Sequence, residues 1–134
     1  MVDMVNHPPH YSAHKVFSRE CIKYTRHMNF TAGNAFKYLY RQGQKFNTVE
    51  DLKKALWYIS DEVYFGNGAS PIPGHLVSEM KDDYEMYLRS TNDDPNTVEV
   101  VSLISDLMIG IADATLFDGS AKSSYLRKRL ERYL

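Results

Sequence analysis

Apolar residues along this chain recur at helical spacing and nowhere in sustained alternation. From Thr31 onward Ala32, Ala35, Phe36 and Leu39 fall on one side of a helix at about 100° per residue. Thr31 is its expected N-cap and Gly43 its expected C′ glycine. After a turn over Gly43 to Asn47, a second helix runs from Val49 to Phe65 and buries Leu52, Ala55, Leu56, Ile59 and Val63. Thr48 and Asp51 read as a capping box at its start. Upstream, Ser18 is the expected cap of a short helix to Met28, with Glu20 in its first turn and Cys21, Ile22 and Tyr24 or Thr25 facing inward. Pro8 and Pro9 make residues 1–17 an extended arm rather than a helix.

Gly66, Gly68, Pro71, Pro73 and Gly74 interrupt the helical pattern. Beyond them, His75 to Ser90 reads as a helix with Leu76, Met80, Tyr84 and Tyr87 or Leu88 on one side. Asn96 and Glu99 form a second capping box, opening a helix that the pattern carries to about Phe117. Its Val98, Val101, Ile104, Leu107, Met108 and Ile111 make it apolar around most of its circumference, which places it at the centre of a bundle. The basic tail is a last short helix with Leu126, Leu130 and Tyr133 on one stripe, expected to dock on a neighbouring helix or on another subunit. The fold class that follows is all-α: a single-domain bundle of five or six helices over residues 1–134, with an extended N-terminal arm.

Composition changes this picture little. With 134 residues the chain is long enough for a real core. Its single cysteine, Cys21, forms no internal disulfide and is expected to be a small buried hydrophobe. No run of apolar residues suggests a membrane span, and the first residues do not resemble a signal peptide, so a cytoplasmic setting is expected. Charge is uneven. Residues 1–66 carry nine Lys/Arg against six Asp/Glu, and residues 67–134 seven against eleven. That is too mild a bias to call for a specific nucleic acid, yet it allows a basic ligand site in the first half.

The candidate chemistry lies on the polar side of the first helix of the hairpin. Asn34, Tyr38, Arg41 and Lys45 form a stripe there with Lys37 at its edge, and Asp51, Lys54 and Tyr58 run down one flank of the next helix. A solvated helix face also carries Lys and Arg, but an Asn and two Tyr are not what solubility alone selects. An amide, phenols and several cations suit a ligand with a phosphate and a ring. Asn34, read as lying in the first helical turn, adds free backbone N–H groups. Arg41 can hold two phosphate oxygens at once, and Tyr38 or Tyr58 can stack on a base. Asp51 is read as a proton acceptor, a Mg²⁺ ligand or a cap. His7, His10 and His14 lack the partners of a zinc site, so no metal site is expected. His7, His10 and Tyr11 are instead read as capping groups or ligand contacts from the arm.

The segments NHPPHY, GNAFKYLYRQGQK and EDLKKALWYI, in this order across residues 6–63, resemble the SaV-like phage family, long catalogued as a domain of unknown function. The family includes a deoxynucleoside monophosphate kinase that works without a P-loop. The resemblance implies a bacteriophage protein of deoxynucleotide metabolism that binds nucleotides, acts on dTMP or dGMP, and takes a nucleoside triphosphate as phosphate donor, with Mg²⁺ as candidate cofactor. The matching positions are His7, His10, Tyr11, Asn34, Lys37, Tyr38, Arg41, Lys45, Asp51, Lys54 and Tyr58. Arg41, Lys37 and Asp51 are then the candidate catalytic residues. Lys23 after Ile22 departs from the family's acidic start, and residues 67–134 form a variable half outside the resemblance.

Two other readings use the same residues. A non-catalytic nucleotide binder, or a modulator of host enzymes, needs only the basic stripe. A MazG-like nucleoside-triphosphate pyrophosphohydrolase needs carboxylates on facing helices, for which Asp61 with Glu62 and Glu79 with Asp82 are the candidates. The tyrosine-rich tail and apolar central helix also suggest a homo-oligomer.

Overall fold

The computed structural model describes residues 14–41, 48–65, 71–114 and 121–133. Within them the chain forms six helices and no strand: α1 (Cys21–Thr25), α2 (Phe30–Tyr40), α3 (Thr48–Phe65), α4 (Gly74–Ser90), α5 (Pro95–Ala112) and α6 (Ala121–Glu131). The all-α class read from periodicity is the one observed. His7, His10, Tyr11, Lys45 and the expected Gly43 stop lie outside the described residues.

α2 and α3 form an antiparallel hairpin. Arg41 at the end of α2 meets Asp51 in the first turn of α3, while Thr31 at the start of α2 meets Glu62 near the end of α3. Ala32, Ala35, Phe36 and Leu39 are fully buried, as their spacing predicts, and face α3 residues Leu52, Ala55 and Ile59. α5 packs on α2 and α4, and α6 closes the bundle against α3 and α5. α5 is long and apolar enough by composition to cross a membrane, but eight of its residues are buried in this bundle, the pattern of a core helix. Burying a side chain such as Leu107 or Ile104 stabilises the fold by about 1.5–3 kcal/mol.

The helix ends differ from the sequence reading, each for a local reason. α2 begins two residues early because Asn29, not Thr31, is the cap: its side chain accepts the N–H of Ala32 at 2.9 Å. The Thr31 hydroxyl turns instead to Glu62. α1 is shorter than expected, and Ser18 does not cap it. The Ser18 N–H and hydroxyl donate to Asp83 and Glu79 of α4, and Ile22 faces solvent rather than the core. α5 is capped by Asp94, whose carboxylate accepts the N–H of Thr97 at 2.9 Å, with Pro95 in its first turn. Asn96 is therefore already helical. α5 stops at Ala112 rather than near Phe117, and Ala114 just beyond has φ = 64°, the left-handed conformation that ends helices.

The segment before α1 is tied into the core by aromatic contact. The His14, Phe17 and Tyr40 rings lie within 6 Å of one another, and Tyr40 continues to Phe36 and Tyr24. The Tyr40 hydroxyl donates to the Arg19 carbonyl. His14 Nδ1 accepts the N–H groups of Val16 and Phe17, and its ring donates to the backbone of Tyr40 at the last turn of α2. The arm is thus fastened one residue from Arg41.

Candidate functional site

The hairpin brings six predicted site residues to one face. From α2 come Lys37 and Tyr38, with Arg41 as the residue that ends the helix. From α3 come Asp51, Lys54 and Tyr58. The Tyr38 and Tyr58 rings lie nearly parallel, 11° apart with centroids 5.9 Å from each other. Three cations gather around Tyr38: Lys37 Nζ at 4.5 Å from the ring centre, Arg41 Cζ at 5.2 Å and Lys54 Nζ at 5.3 Å. An aromatic face attracts each cation modestly, but it cannot neutralise any of them. Set against the carboxylates of Asp51 and Glu50, these three positive groups leave the face net positive, which favours an anion.

Two of the three have carboxylate partners. Arg41 Nε lies 3.3 Å from Asp51 Oδ2 and Nη2 lies 3.5 Å from Oδ1, with both side chains largely buried. These distances are long for a charge-assisted pair. The pairing adds a role that the sequence reading lacked: Asp51 is the partner of Arg41 across the hairpin. Lys54 pairs with Glu50 at 3.1 Å on the exposed side of α3, which raises its pKa chiefly through the hydrogen bond.

Asn34 sits one turn before Tyr38 on α2, half-buried. With α2 starting at Phe30, it is not in the first helical turn, so the free backbone N–H groups expected around it are not there. The N-terminus of α2 does hold an anion, but that anion is the protein's own. Glu62, 1% exposed, accepts Asn29 Nδ2 at 2.7 Å and the Thr31 hydroxyl. A carboxylate at the positive end of a helix is favoured there, so Glu62 fastens the far end of the hairpin.

This also bears on the pyrophosphohydrolase reading. Glu62 is committed to Asn29 and Thr31, and Glu79 accepts two hydrogen bonds from Arg19 at 2.9 Å and one from Ser18. The Arg19 and Ser18 hydrogen bonds hold the Glu79 carboxyl below its usual range. Among the described residues no three His, Cys, Asp or Glu side chains come together as a metal site.

Sequence reasoning missed Arg129. It is 5% exposed and every nitrogen is used: Nε to Glu99 at 2.7 Å, Nη2 to Ser102 at 2.9 Å, and Nη1 to Asp106. Burial opposes its charge, but the two carboxylates outweigh that and hold its pKa above the ordinary value. The basic tail therefore docks within the same chain, and Glu99 is an anchor for α6 rather than half of a capping box. The spacing Glu99, Ser102, Asp106 on one face of α5 was the available signal. Cys21 is buried, as expected, and desolvation pushes its thiol up to about 12, far from a nucleophile's range.

A cleft of about 430 Å³ opens elsewhere, between α4 and α5, lined by Ile72, Val77, Lys81, Ile109 and Asp113 among others. None of the predicted site residues lines it. On the basic, aromatic face of the hairpin Lys37, Tyr38, Arg41 and Tyr58 are half-buried, Asp51 is buried and Lys54 is exposed.

These features define a small all-α protein whose one hairpin carries a cation-rich aromatic ridge. Residues 5–60, which contain that hairpin nearly to its end, match the model of a family described as a protein of unknown function, DUF3310. α4, α5 and α6 lie outside the match. No curated protein and no solved structure matches the chain.

Proposed function

We propose that this protein binds deoxynucleotides through the ridge on the α2–α3 hairpin and acts as a deoxynucleoside monophosphate kinase without a P-loop. The observation that carries the reading is the convergence of Lys37, Arg41 and Lys54 on the ring of Tyr38. Phosphoryl transfer needs little covalent help from a protein and depends mostly on positioning and on neutralising the charge of the transferred group. Lys37 and Lys54 supply mobile point charges. Arg41, held from behind by Asp51, supplies a fixed fork. The resemblance of residues 6–63 to the phage family supplies the substrate class, dTMP or dGMP with a nucleoside triphosphate as donor. His14 fastens the segment before α1 beside Tyr40, one residue from Arg41.

The test is turnover. Incubating the protein with dTMP or dGMP and a nucleoside triphosphate, with Mg²⁺, and separating the products by anion-exchange chromatography should reveal new deoxynucleoside diphosphate. Nucleotide binding without that product favours the second reading, a non-catalytic nucleotide binder.

A further inference from the structure

We propose that Trp57 is the platform on which the nucleotide's base stacks, a role that rests on the nucleotide reading of the ridge. The two tyrosines that looked suited to stacking already face each other nearly parallel, so each has a face committed to its partner. Trp57 continues the ring series. Its indole is perpendicular to the Tyr58 ring, with centroids 5.0 Å apart at 85°, so at most one of its faces meets that ring, and the residue is 62% exposed. It lies one turn along α3 from Lys54, whose ammonium reaches Tyr38. A phosphate held at the cations therefore has, within one or two rings, an open aromatic surface of the kind that attracts bases regardless of sequence.

Other exposed aromatics do not share this position. Tyr64 has the guanidinium of Arg127 over its ring. Phe30 and Phe65 lie at the Glu62 end of the hairpin, opposite the Arg41–Asp51 end. An indole so exposed on a helix contributes little to folding, so its energetic use must come from what covers it. Stacking overlap grows with ring size, which orders the ligands: purine nucleotides ahead of pyrimidine nucleotides.

The chain's only tryptophan is its own reporter. Wild type, Trp57→Ala and Trp57→Phe are titrated calorimetrically with dGMP, dTMP and base-free inorganic tripolyphosphate, and the fluorescence of wild type is followed in parallel. The expected result is quenching by dGMP but not by tripolyphosphate. Trp57→Ala should lose roughly ten- to a hundredfold in affinity for dGMP, keep its affinity for tripolyphosphate, and leave the melting temperature unchanged, with Trp57→Phe in between. If Trp57→Ala binds dGMP as wild type does, or loses tripolyphosphate equally, the platform is refuted while the phosphate site stands. If wild type binds neither ligand, the ridge itself is not a nucleotide site and the platform falls with it.

Discussion

Arg41 and Asp51, ten residues apart in sequence, meet across the hairpin with their side chains 13% and 5% exposed. The pair joins the last turn of α2 to the first turn of α3. It therefore does two things: it fixes the angle of the hairpin, and it aims the guanidinium along the ridge. The stripe considered on its own predicts that Arg41→Ala lowers nucleotide affinity and leaves stability alone. The pairing predicts otherwise. Removing the cation strands a buried carboxylate, at a cost of about 2–3 kcal/mol, less than the full penalty for a broken buried pair because the contacts are long and the helix N-terminus helps Asp51. Urea denaturation should show that loss, and Arg41→Met with Asp51→Asn should recover much of it.

His14 gives the fold a pH dependence. Burial, aided weakly by Lys15, lowers its pKa from the ordinary 6.5 to about 4, against a backbone hydrogen bond to Tyr40 that favours the proton. The unfolded chain takes up that proton below about pH 6.5, and the native state does so only near pH 4. Stability from this group is complete above pH 6.5 and declines as pH falls to 4, by about 3 kcal/mol in total. Melting temperatures measured from pH 7 to 4 should fall more steeply for wild type than for His14→Gln.

Arg129 ties α6 to α5. Arg129→Ala leaves Glu99 and Asp106, 31% and 48% exposed, without their shared cation and opens the α5–α6 contact, so a loss of about 1.5–3 kcal/mol is expected. Arg129→Lys should lose less, since one ammonium replaces part of the charge but not the three-way fork. Chemical denaturation of the two variants checks the order. If both match wild type, the cluster is incidental to stability.

Ala114 holds φ = 64° at the end of α5, a conformation that costs a residue with a Cβ. Ala114→Gly removes that cost, and a gain of about 0.5–1 kcal/mol in unfolding free energy is expected.

The helices were legible because each has one apolar face: Ala32, Ala35, Phe36 and Leu39 on α2, and the broad apolar surface of α5. The caps were less legible. Asn29, Asp94, Thr31 and Asn96 are all plausible caps by type, and only tertiary contact decides among them, as when Glu62 recruits the Thr31 hydroxyl. The grouping of Lys37, Tyr38, Arg41, Asp51, Lys54 and Tyr58 on one face followed from two helical periods and a short turn. What those periods could not show was pairing across the hairpin, which turned Asp51 from a free carboxylate into the partner of Arg41. Nor could they show the partners of Arg129: the stripe of Leu126, Leu130 and Tyr133 predicted that the tail docks, but not that Glu99 and Asp106 of α5 would hold its guanidinium.

Lys37 offers the most direct test of the ridge as a phosphate-binding surface, because its ammonium approaches Tyr38 and, among the described residues, no carboxylate pairs with it. Calorimetric titration of wild type and Lys37→Ala with dGMP, at low and high salt, measures it. Wild type is expected to bind, Lys37→Ala to bind about tenfold more weakly at an unchanged melting temperature, and salt to narrow the gap. Equal affinity of the two proteins, or no binding by either, would rule out the ridge as the phosphate site.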